Sequence, residues 1–182
     1  MFATYLSAFG RFSHDVRMYL ITSFAIGFSY IGIVAVLFNL YLLRLGYGPV
    51  YIGWVAGSTA LAFALFSLPA GAIGSYFGNR RVVIAGVALV GLSVGVVPLV
   101  EVLPVAWREG FILITRLLGG LGFALYAVNS MPYLVAASAP EDRDYVFSIQ
   151  VSVSGLAGFV GSLISGQMPA FFATVLELNP DG

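Results

Sequence analysis

Cysteine and lysine do not occur in this 182-residue chain, and histidine occurs once, as His14. The absence of cysteine excludes disulfide bonds and thiolate metal ligands. A single histidine cannot build a multi-histidine metal centre, and His14 lies before the first apolar run of the chain. The sequence therefore predicts no metal site and no cofactor.

Charged residues are scarce as well. Eight basic and eight acidic residues make up 9% of the chain and cancel to a net charge of zero, whereas 60% of the residues are hydrophobic. A soluble domain carries roughly 25% charged residues, so this composition excludes a water-soluble fold. The chain has no basic tail and no long run of charge, which argues against nucleic acid as a partner. The lipid bilayer is the partner that the composition predicts.

Long runs of uncharged residues occupy most of the chain. A helix needs roughly 20 apolar residues to cross a bilayer, and in lipid a helix satisfies its own backbone hydrogen bonds. The sequence predicts an all-α, polytopic transmembrane bundle with five helices at residues 18–43, 50–77, 82–100, 110–137 and 145–168. We expect residues 1–17 to form a cytoplasmic N-terminal segment. The last helix is expected to end at Pro169, since proline interrupts helical hydrogen bonding, which leaves residues 169–182 as an extracytoplasmic loop.

The arginines of the short connections predict an orientation. With the N-terminus in the cytoplasm, five of them lie on the cytoplasmic side, namely Arg11, Arg17, Arg80, Arg81 and Arg143. Only Arg44 and Arg108 then lie on the opposite side. Because basic residues are retained in cytoplasmic loops, the sequence predicts a multi-pass protein of the cell membrane, plasma or inner, with its N-terminus inside.

Small residues recur inside the apolar runs, where 22 glycines occur in the chain as a whole. Helices in lipid associate by close packing, so small residues mark their contact faces. The fifth run carries four of them at intervals of four: Ser154, Gly158, Ser162 and Gly166. This stripe predicts a helix-packing face, and the alternative interpretation is the lining of a cavity.

Arg116 is the one charged residue deep inside an apolar run. A charge at mid-helix costs roughly 2.5–3.5 kcal/mol on insertion scales, so it is expected to have a function or a partner. At 1.5 Å per residue Arg116 and Asn39 lie at similar depths, about 9 Å and 6 Å from the outer ends of their helices. Gly120 and Ser130 lie near the same helical face and predict space beside the charge. Three interpretations stay open: a structural pair with Asn39, a role in handling a solute or proton, and an arginine that extends to the outer surface.

Two stretches carry a family resemblance. Residues 71–81, GAIGSYFGNRR, resemble the loop signature G-x-L-A-D-R-x-G-R-R of the major facilitator superfamily, and residues 116–124, RLLGGLGFA, resemble its arginine motif R-x-x-x-G-x-G-x-A. The match covers nearly the whole chain as helices one to five of a six-helix N-terminal half, apparently truncated before the sixth. Ser75 replaces the aspartate of the loop signature, and Tyr76 replaces the basic residue that follows it.

The resemblance implies a permease that moves a small solute by alternating access, either as a secondary active transporter or as a facilitator. Helices one and four would line the solute path, which makes the polar residues of those helices candidate binding residues: Tyr30, Asn39, Arg116, Tyr126 and Asn129. The loop signature would form an inner gate through Gly71, Gly74, Ser75, Gly78, Arg80 and Arg81. The two arginines of that gate either pair with acids of the inner surface or serve as positive-inside anchors.

Several alternatives stay open. No acidic residue lies deep in any run, so proton coupling needs an acid elsewhere or Arg116 acting through water, and an anionic solute or facilitated diffusion fits equally. The chain has no membrane Ser–His pair, no paired membrane aspartates and no G-x-x-x-x-G-K loop, so we expect no enzymatic activity. The rival function is a non-transporting five-helix remnant that acts as an interaction partner. Either function requires a missing C-terminal half or a second protomer.

Overall fold

The computed structural model describes residues 12–175, with side chains described as far as residue 171. Within that part the chain forms five long helices: α1 (His14–Arg44), α2 (Pro49–Phe77), α3 (Asn79–Gly95), α4 (Val105–Ala137) and α5 (Arg143–Val175). Short 3₁₀ helices follow α3 at Val97–Val102 and precede α5 at Pro140–Asp142. All five are long and apolar enough to cross a membrane. The predicted all-α transmembrane bundle is confirmed.

The last helix differs from the predicted one at its proline. Pro69, Pro132 and Pro169 all lie inside helices, and α5 continues past Pro169 to Val175 instead of ending there. The predicted end of the last helix is therefore wrong. Proline removes one backbone hydrogen bond, but in a membrane helix neighbouring groups satisfy the freed carbonyl, so the helix continues. The predicted segments 1–17 and 169–182 fall partly outside the described residues.

α1 has an irregular middle that hydrophobic periodicity did not predict. It is α-helical at His14–Ala25 and at Ala35–Arg44, and π-helical between them, at Ile26–Val34. Ser13 begins the helix, its hydroxyl accepting a hydrogen bond from Val16 N at 3.3 Å. Such a cap satisfies a backbone N–H that has no partner within the helix.

Two glycines with positive φ form the tight connections. Gly46 follows α1 with φ 87°, and Gly78 alone separates α2 from α3 with φ 90°. Residues with a Cβ rarely adopt this backbone conformation, so the sequence supplies glycine at both positions. Gly78 N donates to Gly74 O at 2.9 Å, which closes the last turn of α2.

The chain divides into two compact units. The first unit comprises the residues up to Gly46 and those from Ala137 onward, and so contains α1 and α5. The second unit, Tyr47–Ala136, contains α2, α3 and nearly all of α4. In the first unit α1 and α5 run parallel, since Gly27 faces Ser154 and Gly32 faces Gly158 and Gly161.

In the second unit α2 and α4 run parallel, with contacts at their starts, middles and ends. The starts are joined by Tyr51, whose hydroxyl donates to Glu109 O at 3.0 Å. Phe63 and Phe123 pack in the middle, with ring centroids 5.7 Å apart. α3 returns antiparallel to α4, because Gly86 lies near Tyr126 and Val90 near Gly122. An up–down–up arrangement follows, as expected for three consecutive membrane crossings.

Candidate functional site

Arg116 lies in the N-terminal half of α4 and is half-buried. One turn further along, Gly120 does not leave the predicted space beside the charge. A methyl group there would lie 2.5 Å from Thr59 O and 2.7 Å from Ala62 Cβ, so the glycine permits close approach of α2. Ser130 is 8% exposed, and its hydroxyl donates to Tyr126 O at 2.6 Å. The prediction of space on this face is therefore wrong, because both small residues serve packing.

Asn129 is almost completely buried, at 1% exposure, and it connects α4 to α2. Its side-chain Nδ2 donates to Ala70 O of α2 at 3.0 Å and to Leu125 O of its own helix at 2.9 Å. Its Oδ1 lies directly against Gly74, where a methyl group would overlap it. The structure thus brings together a candidate solute-binding residue and a glycine of the gate signature.

The backbone of Tyr126 lies on the side of α4 on which α3 packs, and the residue is 6% exposed. A methyl group at Gly86 of α3 would lie 2.6 Å from Tyr126 N and 2.7 Å from Gly122 O. Gly122 returns the contact, since a methyl group on it would lie 2.9 Å from both Gly86 O and Val90 N. This pair of glycines was not singled out from the sequence. The signal that could have found it is a glycine on each of two adjacent helices at matching depth.

The gate signature is mostly helical. Residues 71–77 form the last two turns of α2, Gly78 is the connection, and Arg80 and Arg81 lie in the first turn of α3. Ser75 is exposed, and its hydroxyl donates to Ala72 O of its own helix at 2.8 Å. Gly71 has room, since a methyl group there would meet Val128 Cγ1 at 3.6 Å, an ordinary contact. Both arginines are exposed, and their role stays a prediction.

Tyr30 and Asn39 belong to α1 in the first unit. Tyr30 lies within the π-helical segment and is half-buried, whereas Asn39 lies in the α-helical part that follows and is exposed. Arg116 belongs to the second unit, so its pairing with Asn39 stays a prediction.

The small residues of α5 pack on α1, along a face that differs from the predicted stripe. Ser154 and Gly158 contact α1, but the face continues through Gly161, where a methyl group would overlap Phe28 O. At Gly166 no described atom would lie within 4 Å of an added methyl group. The reason is geometric: four residues advance a helix by 40° more than one turn, so four-residue steps drift about 120° between Ser154 and Gly166.

An apolar groove of about 630 Å³ lies in the second unit, between the N-terminal halves of α2 and α4. None of the candidate solute-binding residues of that unit lines it. Its lining has one hydroxyl, that of Ser58, which already donates to Val55 O at 2.7 Å. The lining residues come from both helices: Val50, Gly53, Trp54, Gly57, Ser58 and Leu61 of α2, with Leu113 and Leu117 of α4. On α4, Arg116 directly precedes one of them.

A small polar cluster lies where α2 and α4 begin. The rings of Tyr47 and Tyr51 stack with centroids 4.4 Å apart. Burial raises the pKa of Tyr47, the nearby Glu109 carboxylate raises it further, and Arg108 partly opposes the shift. Arg108 is held by the backbone, with its Nε donating to Leu103 O at 3.0 Å. No group of three or more His, Cys, Asp or Glu side chains that could hold a metal ion occurs in the described part of the chain.

Comparison with known proteins agrees with this helical arrangement. The model of the Major Facilitator Superfamily matches residues 5–175. An uncharacterized MFS-type transporter of Methanocaldococcus jannaschii is 26% identical over 178 residues, which cover 93% of this chain and 44% of that protein. The multidrug transporter mfsC of Aspergillus fumigatus is 28% identical over 125 residues, which cover 68% of this chain and 23% of that protein.

A third relative, the uncharacterized MFS-type transporter EfpA of Mycobacterium tuberculosis, is 29% identical over 118 residues, covering 63% of this chain and 21% of that protein. The chain thus spans less than half the length of these relatives. No solved structure matches the chain. The match of the family model over most of its length shows that this integral membrane protein belongs to the major facilitator superfamily.

Proposed function

We propose that this chain is the N-terminal part of a permease that carries a small organic anion across the cell membrane by alternating access. The observation that supports it most is the match of the superfamily over residues 5–175, in a chain whose apolar runs contain one charged residue deep inside, Arg116. A guanidinium in a low-dielectric environment attracts an anion, because little water screens the charge. No acidic residue lies deep in the apolar runs, so the charge that the runs contain is positive.

The apolar groove supports a solute with a hydrophobic part. It is lined almost entirely by apolar side chains, and two of them, Leu113 and Leu117, flank Arg116 along α4. Ligand sites commonly combine an apolar surface with a few polar groups that fix orientation. The name of the Aspergillus relative, a multidrug transporter, is compatible with an amphiphilic solute. In this proposal the N-terminus is cytoplasmic, as the arginine distribution predicts.

Uptake into proteoliposomes tests the proposal. The full-length protein, with any sequence beyond residue 182 included, is reconstituted and offered radiolabelled benzoate, glucose or tetraphenylphosphonium as anionic, neutral and cationic probes. We expect benzoate uptake to exceed the other two and to be lost in Arg116→Ala. Arg44→Ala is the matched control, because Arg44 is exposed at the end of α1.

Three results would contradict the proposal. Unchanged benzoate uptake in Arg116→Ala removes Arg116 from the mechanism. Uptake of the cation but not of the anion contradicts the anionic solute. A protein that inserts normally but moves none of the probes and associates with a second membrane protein favours the non-transporting alternative. An internal pH dye in the same vesicles reports whether protons move with the solute.

A further inference from the structure

The middle of α1 is π-helical over nine residues, Ile26–Val34. π-helical hydrogen bonds run from residue i to i+5, and such segments are rare, short and frequently placed at functional sites. Backbone angles at the junctions are ordinary helical ones, with φ −61° at Ala25 and −60° at Ala35. The segment is therefore a change of hydrogen-bond register within a continuous helix, and something must hold it in place of the more favourable α-helix.

Two glycines of the segment explain how it is held. Gly27 and Gly32 are five residues apart, which in an α-helix would place them about 140° apart around the axis. Both nevertheless face α5. A methyl group at Gly27 would lie 2.5 Å from Ser154 O, and one at Gly32 would lie 2.8 Å from Gly158 O and from Gly161 Cα. The i to i+5 register is what brings both glycines to one face.

Burial along the segment is greatest at the glycines and beside the first of them, since Ile26, Gly27 and Gly32 are its buried residues. Ile31 borders α5 as well, because a methyl group at Gly158 would meet Ile31 Cγ2 at 3.4 Å, but it is 46% exposed. At the first junction the Ser29 hydroxyl donates to Ala25 O at 2.5 Å, so that carbonyl gains a side-chain donor where the register changes.

We propose that Gly27 and Gly32 are positioning residues: their contact with α5 holds the π-helical register, and the register sets the rotation of Ala35–Arg44 and therefore the direction in which Asn39 points. Each residue added to or removed from a helix turns the part that follows by about 100° relative to the part that precedes. The inference rests on the proposed transport function only for the predicted place of Asn39 on the solute path. The register itself is independent of transport.

Deletion of Ile31 tests the register directly. The deletion leaves Gly27 and Gly32 four residues apart, the spacing at which an α-helix presents two residues on one face. We expect the shortened segment to become α-helical, to keep both glycines on α5 and to leave Ala35–Arg44 facing as before. In an ordinary α-helix the same deletion would turn Ala35–Arg44 by about 100° relative to the first part of α1.

The readout is a cysteine scan. This chain has no cysteine, so single cysteines can be placed one at a time across Ala35–Arg44 in the full-length protein, with and without Ile31. The rate at which each cysteine reacts with a hydrophilic maleimide is then measured in membranes. Deletion of Ile21, which is 59% exposed in the α-helical part of α1, is the control. It is expected to shift the reactive face or to prevent accumulation.

The outcomes separate cleanly. An unchanged reactive face without Ile31, together with a shifted face or loss of protein without Ile21, supports the proposal. A face shifted by about one residue without Ile31 overturns it, and so does failure of that variant to accumulate, because the retained glycine contacts should let it fold. None of these outcomes contradicts the proposed transport function.

A second variant tests the role of the glycines. Gly32→Ala should displace α5 and shift the reactive face of Ala35–Arg44, while Gly53→Ala, whose methyl group meets no described atom within 4 Å, should not. An unshifted face in Gly32→Ala refutes the positioning role. Transport assays of the same variants report separately on the solute path.

Discussion

Gly74 and Gly71 lie three residues apart at the end of α2, yet they should respond oppositely to the same substitution. At Gly74 an added methyl group would overlap Asn129 Oδ1 and lie 2.7 Å from Asn79 Oδ1. At Gly71 it would meet one side-chain atom, at 3.6 Å. We expect Gly71→Ala to be neutral or stabilising and Gly74→Ala to be destabilising.

The magnitudes follow from two opposing effects. Replacing glycine by alanine within a helix gains about 0.5–1 kcal/mol through the entropy of the unfolded chain. Overpacking a well-filled contact costs typically 1–3 kcal/mol. Gly71→Ala should therefore show the gain alone. Gly74→Ala should show a net loss of about 0.5–2 kcal/mol, since the Asn129 amide cannot retreat without giving up its hydrogen bond to Ala70 O.

The cause can be isolated with Asn129→Ala. That variant loses an interhelical hydrogen bond, worth on average about 0.6 and at most about 1.7 kcal/mol in a membrane protein. It also removes the atom that a methyl group at Gly74 would overlap. The double variant should therefore lose less stability than the sum of the two single variants. We expect a coupling free energy of about 1–3 kcal/mol, well above the 0.3–0.5 kcal/mol scatter of independent sites.

The free energy of unfolding is measured by titrating sodium dodecyl sulfate into mixed micelles and following tryptophan fluorescence. The three variants of the cycle, and Gly71→Ala as the control, are compared with the parent chain. Additive effects at positions 74 and 129 would refute the direct contact. A destabilised Gly71→Ala would show that the end of α2 rejects any side chain, whatever the position of Asn129.

Other predictions use the same structure. Gly57→Ala should leave the free energy of unfolding within about 1 kcal/mol of the parent or raise it, because no described atom lies near the added methyl group. Gly161→Ala should lower the free energy of unfolding by about 1–3 kcal/mol, because its methyl group would overlap a carbonyl of α1. Tyr51→Phe removes the hydrogen bond to Glu109 O and should cost about 0.5–1.5 kcal/mol in the same titration. The pKa of Tyr47 is raised above its ordinary value of 10.0, first by burial and then by Glu109. The folded protein thus holds the Tyr47 proton more tightly than the unfolded chain does. The contribution of this group to the free energy of unfolding is present below pH 10.0 and is lost as the pH rises through the pKa of the folded state. The midpoint of thermal unfolding should therefore fall less steeply above pH 10.0 in Tyr47→Phe than in the parent chain.

The five membrane helices could be predicted from the sequence because their signal is additive. Some 20 apolar residues in a row outweigh any single proline or polar side chain. For the same reason the end at Pro169 was predicted wrongly: its effect is local, and α5 continues through it. The π-helical segment of α1 left no trace in composition, because its register depends on the tight contact of Gly27 and Gly32 with α5.

The candidate site was less predictable. The sequence identified Arg116 and Asn129 as unusual polar residues of one helix, but polarity alone does not tell a solute contact from a helix–helix hydrogen bond. Asn129 proves to be a contact to Ala70 of α2. Small residues have the same ambiguity. Gly120 and Gly158 serve close packing, whereas Gly53 and Gly57 line an open groove, and only the neighbours distinguish the two cases.

The connection between α2 and α3 is a single residue, so it cannot lengthen. Gly78 alone joins α2 to α3. Its N–H donates to Gly74 O at 2.9 Å in the last turn of α2, and its carbonyl accepts hydrogen bonds from Arg81 N at 3.1 Å and Val82 N at 3.3 Å in the first turn of α3. The joined ends of the two helices therefore cannot slide past each other without breaking one of these bonds. A shift of α2 along its own axis must therefore move the start of α3 with it.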